Sequence, residues 1–191
     1  MQTKRSVNFV DQYGVPVFRW QRDFGNAFVD RIIKNGGKGY FLCTAATNSG
    51  KTMGTGLCIR HANEKFGIKK HVIVVPTNIV QKSWPEDVLP FGINLTSEAT
   101  NARIVGLKTD PNLHGFVVTY QQVYSNRLIF RKIMEETDSM VTFDEFHHMA
   151  ENLSWGEACQ EAFEHANIKL SLSATPYRVD GQKIPFQEYE Q

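Results

Sequence analysis

A short apolar run at residues 40–43, Tyr-Phe-Leu-Cys, follows Gly39 and passes directly into Thr44-Ala45-Ala46-Thr47-Asn48-Ser49-Gly50-Lys51-Thr52. Few folds place a strand, a loop of small residues and a Gly-Lys-Thr helix start in that order. The run reads as a buried strand, and residues 53–66 read as a helix closed by Gly67. Between them the chain must bend so that successive backbone N–H groups point inward, which needs small or φ-permissive residues. Such a turn, set on a helix N-terminus, is suited to an anion.

The loop fits Ala-x-x-x-x-Gly-Lys-Thr, a relaxed form of the phosphate-binding P-loop with Ala45 at the usual first glycine. Asn48 stands where glycine is frequent, and it is the next-best residue for a left-handed backbone. In this reading Thr47, Asn48, Ser49 and Gly50 cradle phosphate, Lys51 reaches the β- and γ-phosphates, and the Thr52 hydroxyl sits on Mg²⁺. An ordinary turn with a chance Gly-Lys-Thr is the alternative, and the rest of the chain has to decide.

The chain has 191 residues with 41% hydrophobic content, enough for one ordinary globular domain. A formal net charge of +1 advertises no chain-wide basic surface, so a nucleic-acid site would have to arise from local placement of charge. Cys43, Cys58 and Cys159 share no paired spacing, which argues against a disulfide framework or a zinc site. A reducing compartment, and hence a cytoplasmic location, is the expectation. The N-terminus lacks the apolar core of a signal peptide, and no apolar run approaches the ~20 residues that span a membrane.

Residues 7–18 hold two short β-type runs around Gln12-Tyr13-Gly14, as in a small hairpin or an extended arm. Phe24, Ala27, Phe28, Ile32 and Ile33 then follow helical spacing up to Gly36-Gly37. Gln21, on the first turn, is open to two readings: a solvated side chain, or an amide that reads an adenine edge with its donor and acceptor. Residues 71–76 form a β-branched strand buried on both faces, followed by Pro76-Thr77 and a segment short or kinked at Trp84-Pro85. Residues 103–106 suggest a brief strand, and 115–120 a clearer one. Residues 121–136 read as a helix with Val123, Leu128, Ile129 and Ile133 inward. A strand at 139–143, a helix at 155–166 and a strand at 168–172 complete the series.

Alternating strands and helices predict an α/β fold, a mostly parallel sheet with helices on both faces. In such sheets ligands sit beyond the carboxyl ends of the strands. Polar clusters fall at those ends: Ala45 to Thr52, Pro76-Thr77, Thr119-Tyr120-Gln121, Asp144-Glu145 and Ser173-Ala174-Thr175. Hydrolysis of a nucleoside triphosphate needs phosphate charge neutralised, a metal oriented and a water activated. Asp144 is placed to orient Mg²⁺ and Glu145 to polarise the attacking water; an acidic turn is the competing reading. His147 reads as a relay between Glu145 and Ser173-Ala174-Thr175, and His148 as a capping residue.

Taken together, Lys51-Thr52 in its loop, Asp144-Glu145-Phe146-His147 and Ser173-Ala174-Thr175 resemble motifs I, II and III of superfamily 2 helicases of the Asp-Glu-x-His class. Pro76-Thr77 with Gln81 and Trp84 resembles motif Ia, and Thr119-Tyr120-Gln121 a nucleic-acid-contacting stretch. Arg19-x-Gln21 resembles the adenine-reading Gln motif of recombination helicases and restriction-enzyme translocases, and residues 174–180 also look like that branch. The resemblance implies a RecA-like P-loop domain over residues 38–191, with 1–37 an arm and adenine-motif helix of the same domain. It implies ATP and Mg²⁺ as cofactors and nucleic acid, DNA ahead of RNA, as partner, with no membrane. It further implies an ATPase motor, helicase or translocase, that also needs a second RecA-like domain, in cis or in trans, carrying motifs IV to VI. Those motifs do not occur before Gln191, so this chain reads as an excised portion or a truncated gene product of low intrinsic turnover. Two rivals stand beside the motor: a nucleotide-responsive nucleic-acid-binding module without motor activity, and a P-loop ATPase with no nucleic-acid role.

Overall fold

β4 (Lys70–Val75) is buried at every position and lies inside a six-stranded parallel sheet. The computed structural model describes residues 9–46, 48–147 and 153–174. In it the strands run β3 (Gly39–Thr44), β8 (Ile168–Ser173), β7 (Ser139–Phe143), β4, β6 (Gly115–Thr119), β5 (Leu95–Thr96). β1 (Phe9–Val10) and β2 (Pro16–Val17) form the expected small antiparallel hairpin, with Asp11 Oδ1 accepting the N–H groups of Tyr13 and Val15 in its turn.

The side-chain period of two in the strands sorts the core into two layers. Ile73 and Val75 of β4 join Phe28 of α1 (Arg19–Lys34), Leu57 of α2 (Lys51–Phe66) and Trp84 of α3 (Asn78–Val88). Val72 and Val74 face the other way, with Ile104 of α4 (Asn101–Gly106), Phe130 of α5 (Tyr120–Glu136) and Phe163 of α6 (Leu153–Phe163). Helices therefore cover both faces, as the alternating pattern predicts. Gly115 opens β6 where a Cβ would run into the His71 carbonyl, so no larger residue fits that register.

Four local expectations are corrected. β3 lies at one edge of the sheet and is half-buried over most of its length: among the described strands it has β8 alone beside it, with Phe41 against α1 and Leu42 against the other core layer. Residues 101–106 are helical: Thr100 accepts the Arg103 N–H and caps the turn, and only Ile104 is buried, so Ile104-Val105 does not enter a sheet. α3 runs through Pro85 for 11 residues, and Pro85 sits near its C-terminal end rather than breaking it. In α5, Asn126 is non-helical at φ −127°, which shifts the helix phase. Leu128 is thereby 62% exposed and Phe130 takes the buried place instead. Among the described residues, no helix is long and apolar enough to cross a membrane.

Candidate nucleotide site and the adjoining helix ends

The loop between β3 and α2 turns on two left-handed residues, Asn48 at φ 57° and Gly50 at φ 88°. Gly50 is the N-cap of α2; its positive φ favours glycine, and a Cβ there would also push on Gln21 Nε2, 2.6 Å away. Thr47 lies outside the described residues. Ser49 is buried, and its hydroxyl has no partner among the described residues. A buried polar atom left unpaired inside such a turn is what a phosphate-binding loop offers its ligand. Thr52, on the first turn of α2, is partly exposed, as a metal-facing hydroxyl needs to be. These residues fit a nucleotide phosphate with Mg²⁺.

Lys51 is only 9% exposed; its Nζ donates to the Ala45 carbonyl at 3.1 Å and lies 3.1 Å from Glu145 Oε1. Glu145 sits in the turn after β7 with φ 48°, unusual for a residue with a Cβ. Its other oxygen, Oε2, accepts the Ala174 N–H at 3.4 Å and is 3.5 Å from His147 Nδ1. His147 Nδ1 is also 3.4 Å from Ser173 Oγ. The structure thus brings Lys51, Glu145, His147 and Ser173 together. Thr175 and His148 lie outside the described residues.

Asp144 continues the β7 line, its N–H donating to the Val74 carbonyl at 2.8 Å. Burial pushes its carboxyl up to about 6; the Trp84 indole opposes that rise, Glu145 adds to it, and Lys51 again lowers it. Trp84 Nε1 donates to Asp144 Oδ2 at 3.3 Å, and the Tyr120 hydroxyl donates to the Asp144 carbonyl oxygen at 2.9 Å. Linear reading missed both contacts. The available signal was the burial of Trp84 and Tyr120 themselves, since a buried indole N–H or phenol needs an acceptor.

On the adenine side, Gln21 is 2% exposed, which overturns its solvated reading. Its Nε2 donates to the Gly50 carbonyl at 2.9 Å and its Oε1 accepts the Phe18 N–H at 2.8 Å. Each amide atom keeps capacity for one further bond. Arg19 is exposed and pairs with Asp23 at 3.8 Å, pointing along the outside of α1.

Beyond the end of β4, Thr77 follows Pro76 and caps α3, accepting the Val80 N–H at 3.4 Å, and it is exposed. Thr119 is buried and caps α5, accepting the Gln122 N–H at 3.2 Å. Gln121 is exposed on the first turn of α5. Pro76, Thr77 and Gln121 therefore share accessible helix ends, whereas Thr119 is committed to its helix.

The profile of the type III restriction enzyme res subunit matches residues 15–178. An uncharacterised protein of Mycobacterium tuberculosis is 35% identical over 153 residues, covering 78% of this chain and 24% of the relative. The chain thus spans about a quarter of that relative's length. The ORFB polyprotein of Cryphonectria hypovirus 1 is 28% identical over 177 residues, covering 91% of this chain and 5% of the polyprotein. The fold is similar to the Hef helicase domain of Pyrococcus furiosus, with a TM-score of 0.63 at 18% identity, over 84% of this chain and 33% of that one. It is also similar to the SWI2/SNF2 ATPase core of Sulfolobus solfataricus, solved in complex with double-stranded DNA. There the TM-score is 0.65 at 14% identity, over 95% of this chain and 36% of that one. The T4 phage UvsW helicase matches with a TM-score of 0.58 at 18% identity, over 88% of this chain and 53% of that one. The fold is thus similar to that of these helicase and ATPase cores, and the chain belongs to the family of the type III restriction enzyme res subunit.

Proposed function

We propose that this chain is the ATP-binding domain of a nucleic-acid-dependent motor, with residues 38–191 forming the nucleotide domain and the preceding segment its adenine-side arm. The observation that carries the reading is the convergence of Lys51, Glu145 and Asp144 beyond the carboxyl ends of β3 and β7. Lys51 neutralises phosphate charge, with the backbone of residues 48–50 forming the cradle. Thr52 and Asp144 would hold Mg²⁺, which supplies charge neutralisation on the transferred phosphoryl group. Glu145 orients the attacking water and accepts its proton. Gln21 reads the adenine edge with its remaining donor and acceptor capacity, and Arg19 lies beside it. His147, with Ser173 and Thr175, couples the Glu145 region to a second RecA-like domain, in cis or in trans. Pro76, Thr77 and Gln121 line the nucleic-acid side, and Thr119, buried, holds the α5 end behind them.

DNA is favoured over RNA as partner because the Sulfolobus core, similar in fold, was solved on double-stranded DNA. The test is Mg·ATP binding and turnover by the chain alone, with and without an oligonucleotide. Weak binding that Lys51→Ala abolishes, with slow turnover, is expected, because loss of a trans-acting arginine costs ~10³ or more in rate. No binding, or many turnovers per second by the isolated chain, would overturn the reading.

A further inference from the structure

Asp144 receives a hydrogen bond from each of the two helices whose N-termini face the nucleic-acid side. From α3, Trp84 Nε1 reaches the side-chain oxygen Oδ2 at 3.3 Å; from α5, the Tyr120 hydroxyl reaches the main-chain oxygen at 2.9 Å. Both rings are fully buried. The Trp84 bond is not a default of burial, since the Trp20 indole N–H is also buried and has no partner among the described residues.

The two helices are tied to each other as well. Gln81 Nε2, on α3, donates to the Val117 carbonyl of β6 at 2.8 Å and to Gln122 Oε1 at 3.0 Å. The same Gln122 oxygen accepts the Thr119 N–H at 2.8 Å, at the start of α5. α3, the end of β6 and the first turn of α5 therefore form one hydrogen-bonded block. That block carries Thr77 and Gln121 on its outside and grips Asp144 from its inside.

The geometry points to Trp84 as a positioning residue for the metal-orienting carboxylate of Asp144, with Tyr120 as its counterpart on the main chain. The α3–α5 block thereby sets Mg²⁺ binding at the nucleotide site. The inference rests on Asp144 being the carboxylate that orients the metal. A carboxylate has two oxygens; an indole N–H on Oδ2 fixes the plane of the group and leaves Oδ1 for the metal's water shell. A strand seated on the outside of the block acts on Asp144 through these two bonds. By reciprocity, Mg²⁺ with nucleotide then alters strand affinity by the same factor.

The test is a Mg²⁺ titration of binding of a fluorescent ATP analogue to the full 191-residue chain. Trp84→Phe keeps a buried ring and removes the N–H. The Mg²⁺ concentration for half-maximal binding should rise about tenfold, the lower end of what outer-shell partners contribute. Affinity for the analogue in EDTA should stay within about twofold, since the loop and Lys51 are untouched. An unchanged Mg²⁺ requirement overturns the proposal, and so does an equal loss of affinity in EDTA, which marks a packing defect. Should Trp84→Phe not fold, the wild-type indole resonance is followed instead: Asp144→Asn must move the Trp84 Nε1–H signal, and an unmoved signal overturns the proposal. Wild-type binding with no Mg²⁺ dependence would remove the assignment of Asp144 itself. Dependence that Trp84→Phe leaves intact would remove the positioning role alone.

Discussion

The side-chain amide of Gln21, at the third position of α1, donates to the carbonyl oxygen of Gly50 at 2.9 Å across 29 residues of sequence. The helix before the nucleotide loop and the left-handed residue that shapes that loop are thus joined directly. The same amide also accepts the Phe18 N–H at 2.8 Å, so it closes its own helix start.

Gln21→Ala would leave the part-buried Phe18 N–H without its side-chain partner and strip the Gly50 carbonyl of one of its two donors, the other being the Gly54 N–H. That costs about 1–3 kcal/mol, measured by urea unfolding of the chain. On the proposed reading of Gln21 as the adenine contact, the substitution should also narrow the preference for ATP over GTP in competition binding. A stability loss with an unchanged ATP-to-GTP ratio would leave Gln21 as a tether for the loop only.

Lys51 is shared between the Ala45 carbonyl and Glu145. A phosphate competes with Glu145 for the same ammonium. Glu145→Gln should therefore hold the nucleotide as tightly as wild type or up to about fivefold tighter, in line with the modest net worth of one ion pair. Hydrolysis by the enzyme with its second domain should be abolished. Lys51→Ala should weaken binding at least tenfold, by removing the counter-charge. Equal hydrolysis by wild type and Glu145→Gln would remove Glu145 from the water's side.

Asp144 and His71 respond to acid in opposite senses. Burial holds the His71 ring neutral, pushing it down from 6.5 to about 3; nearby His114 and Lys70 push the same way. The unfolded chain then binds the extra proton below pH 6.5, and stability falls as pH falls, by about 1.4 kcal/mol per pH unit. Asp144 is raised from 3.8 to about 6, so it takes up a proton in the folded state first, and stability rises as pH falls through that window. Asp144→Asn removes the offset and a buried charge. It should stabilise the chain at pH 8 by about 1–3 kcal/mol, abolish Mg²⁺-dependent nucleotide binding, and lose about 2 kcal/mol between pH 6.5 and 5. Adding His71→Val should flatten most of that slope, and unfolding curves at the two pH values check it. His61 and His114, also lowered chiefly by burial, account for the remainder.

Thr119 and Thr77 are separable by stability. Thr119→Val removes a buried cap and should cost about 1 kcal/mol. Thr77→Val removes a long 3.4 Å bond at an exposed position and should cost little, but it should weaken binding of a single-stranded oligonucleotide. A salt titration of strand binding reads this out, with a shallow slope expected because few full charges are involved. If Thr77→Val binds as wild type, the strand path lies away from α3.

Much of the fold was legible because β4, β6 and β7 are buried on both faces, and such strands announce themselves as continuous β-branched or apolar runs. The loop from Ala45 to Thr52 and the Asp144-Glu145 pair were legible because their residue types are dictated by local backbone and charge. What stayed hidden was set by distant partners or by phase. Nothing near Trp84 in the chain indicates an acceptor 60 positions on. The outward turn of Leu128 depends on one non-helical residue, Asn126, whose amide donates back to the Gln122 carbonyl at 3.0 Å. Ile104-Val105 looked strand-like within four residues, and only the Thr100 cap decides otherwise.

β3 has β8 as its one neighbour among the described strands, whereas β7 is paired on both sides. Half of the β3 backbone groups consequently face outward, unprotected by a ladder. Amide exchange should therefore be graded across the long strands of the sheet: faster on the outer side of β3 than on β4 and β7. The strand feeding the nucleotide loop can loosen while the strand bearing the acidic pair stays closed. The two halves of one site thus sit on opposite rungs of the protein's own opening hierarchy, so loop rearrangement need not wait for the sheet to come apart.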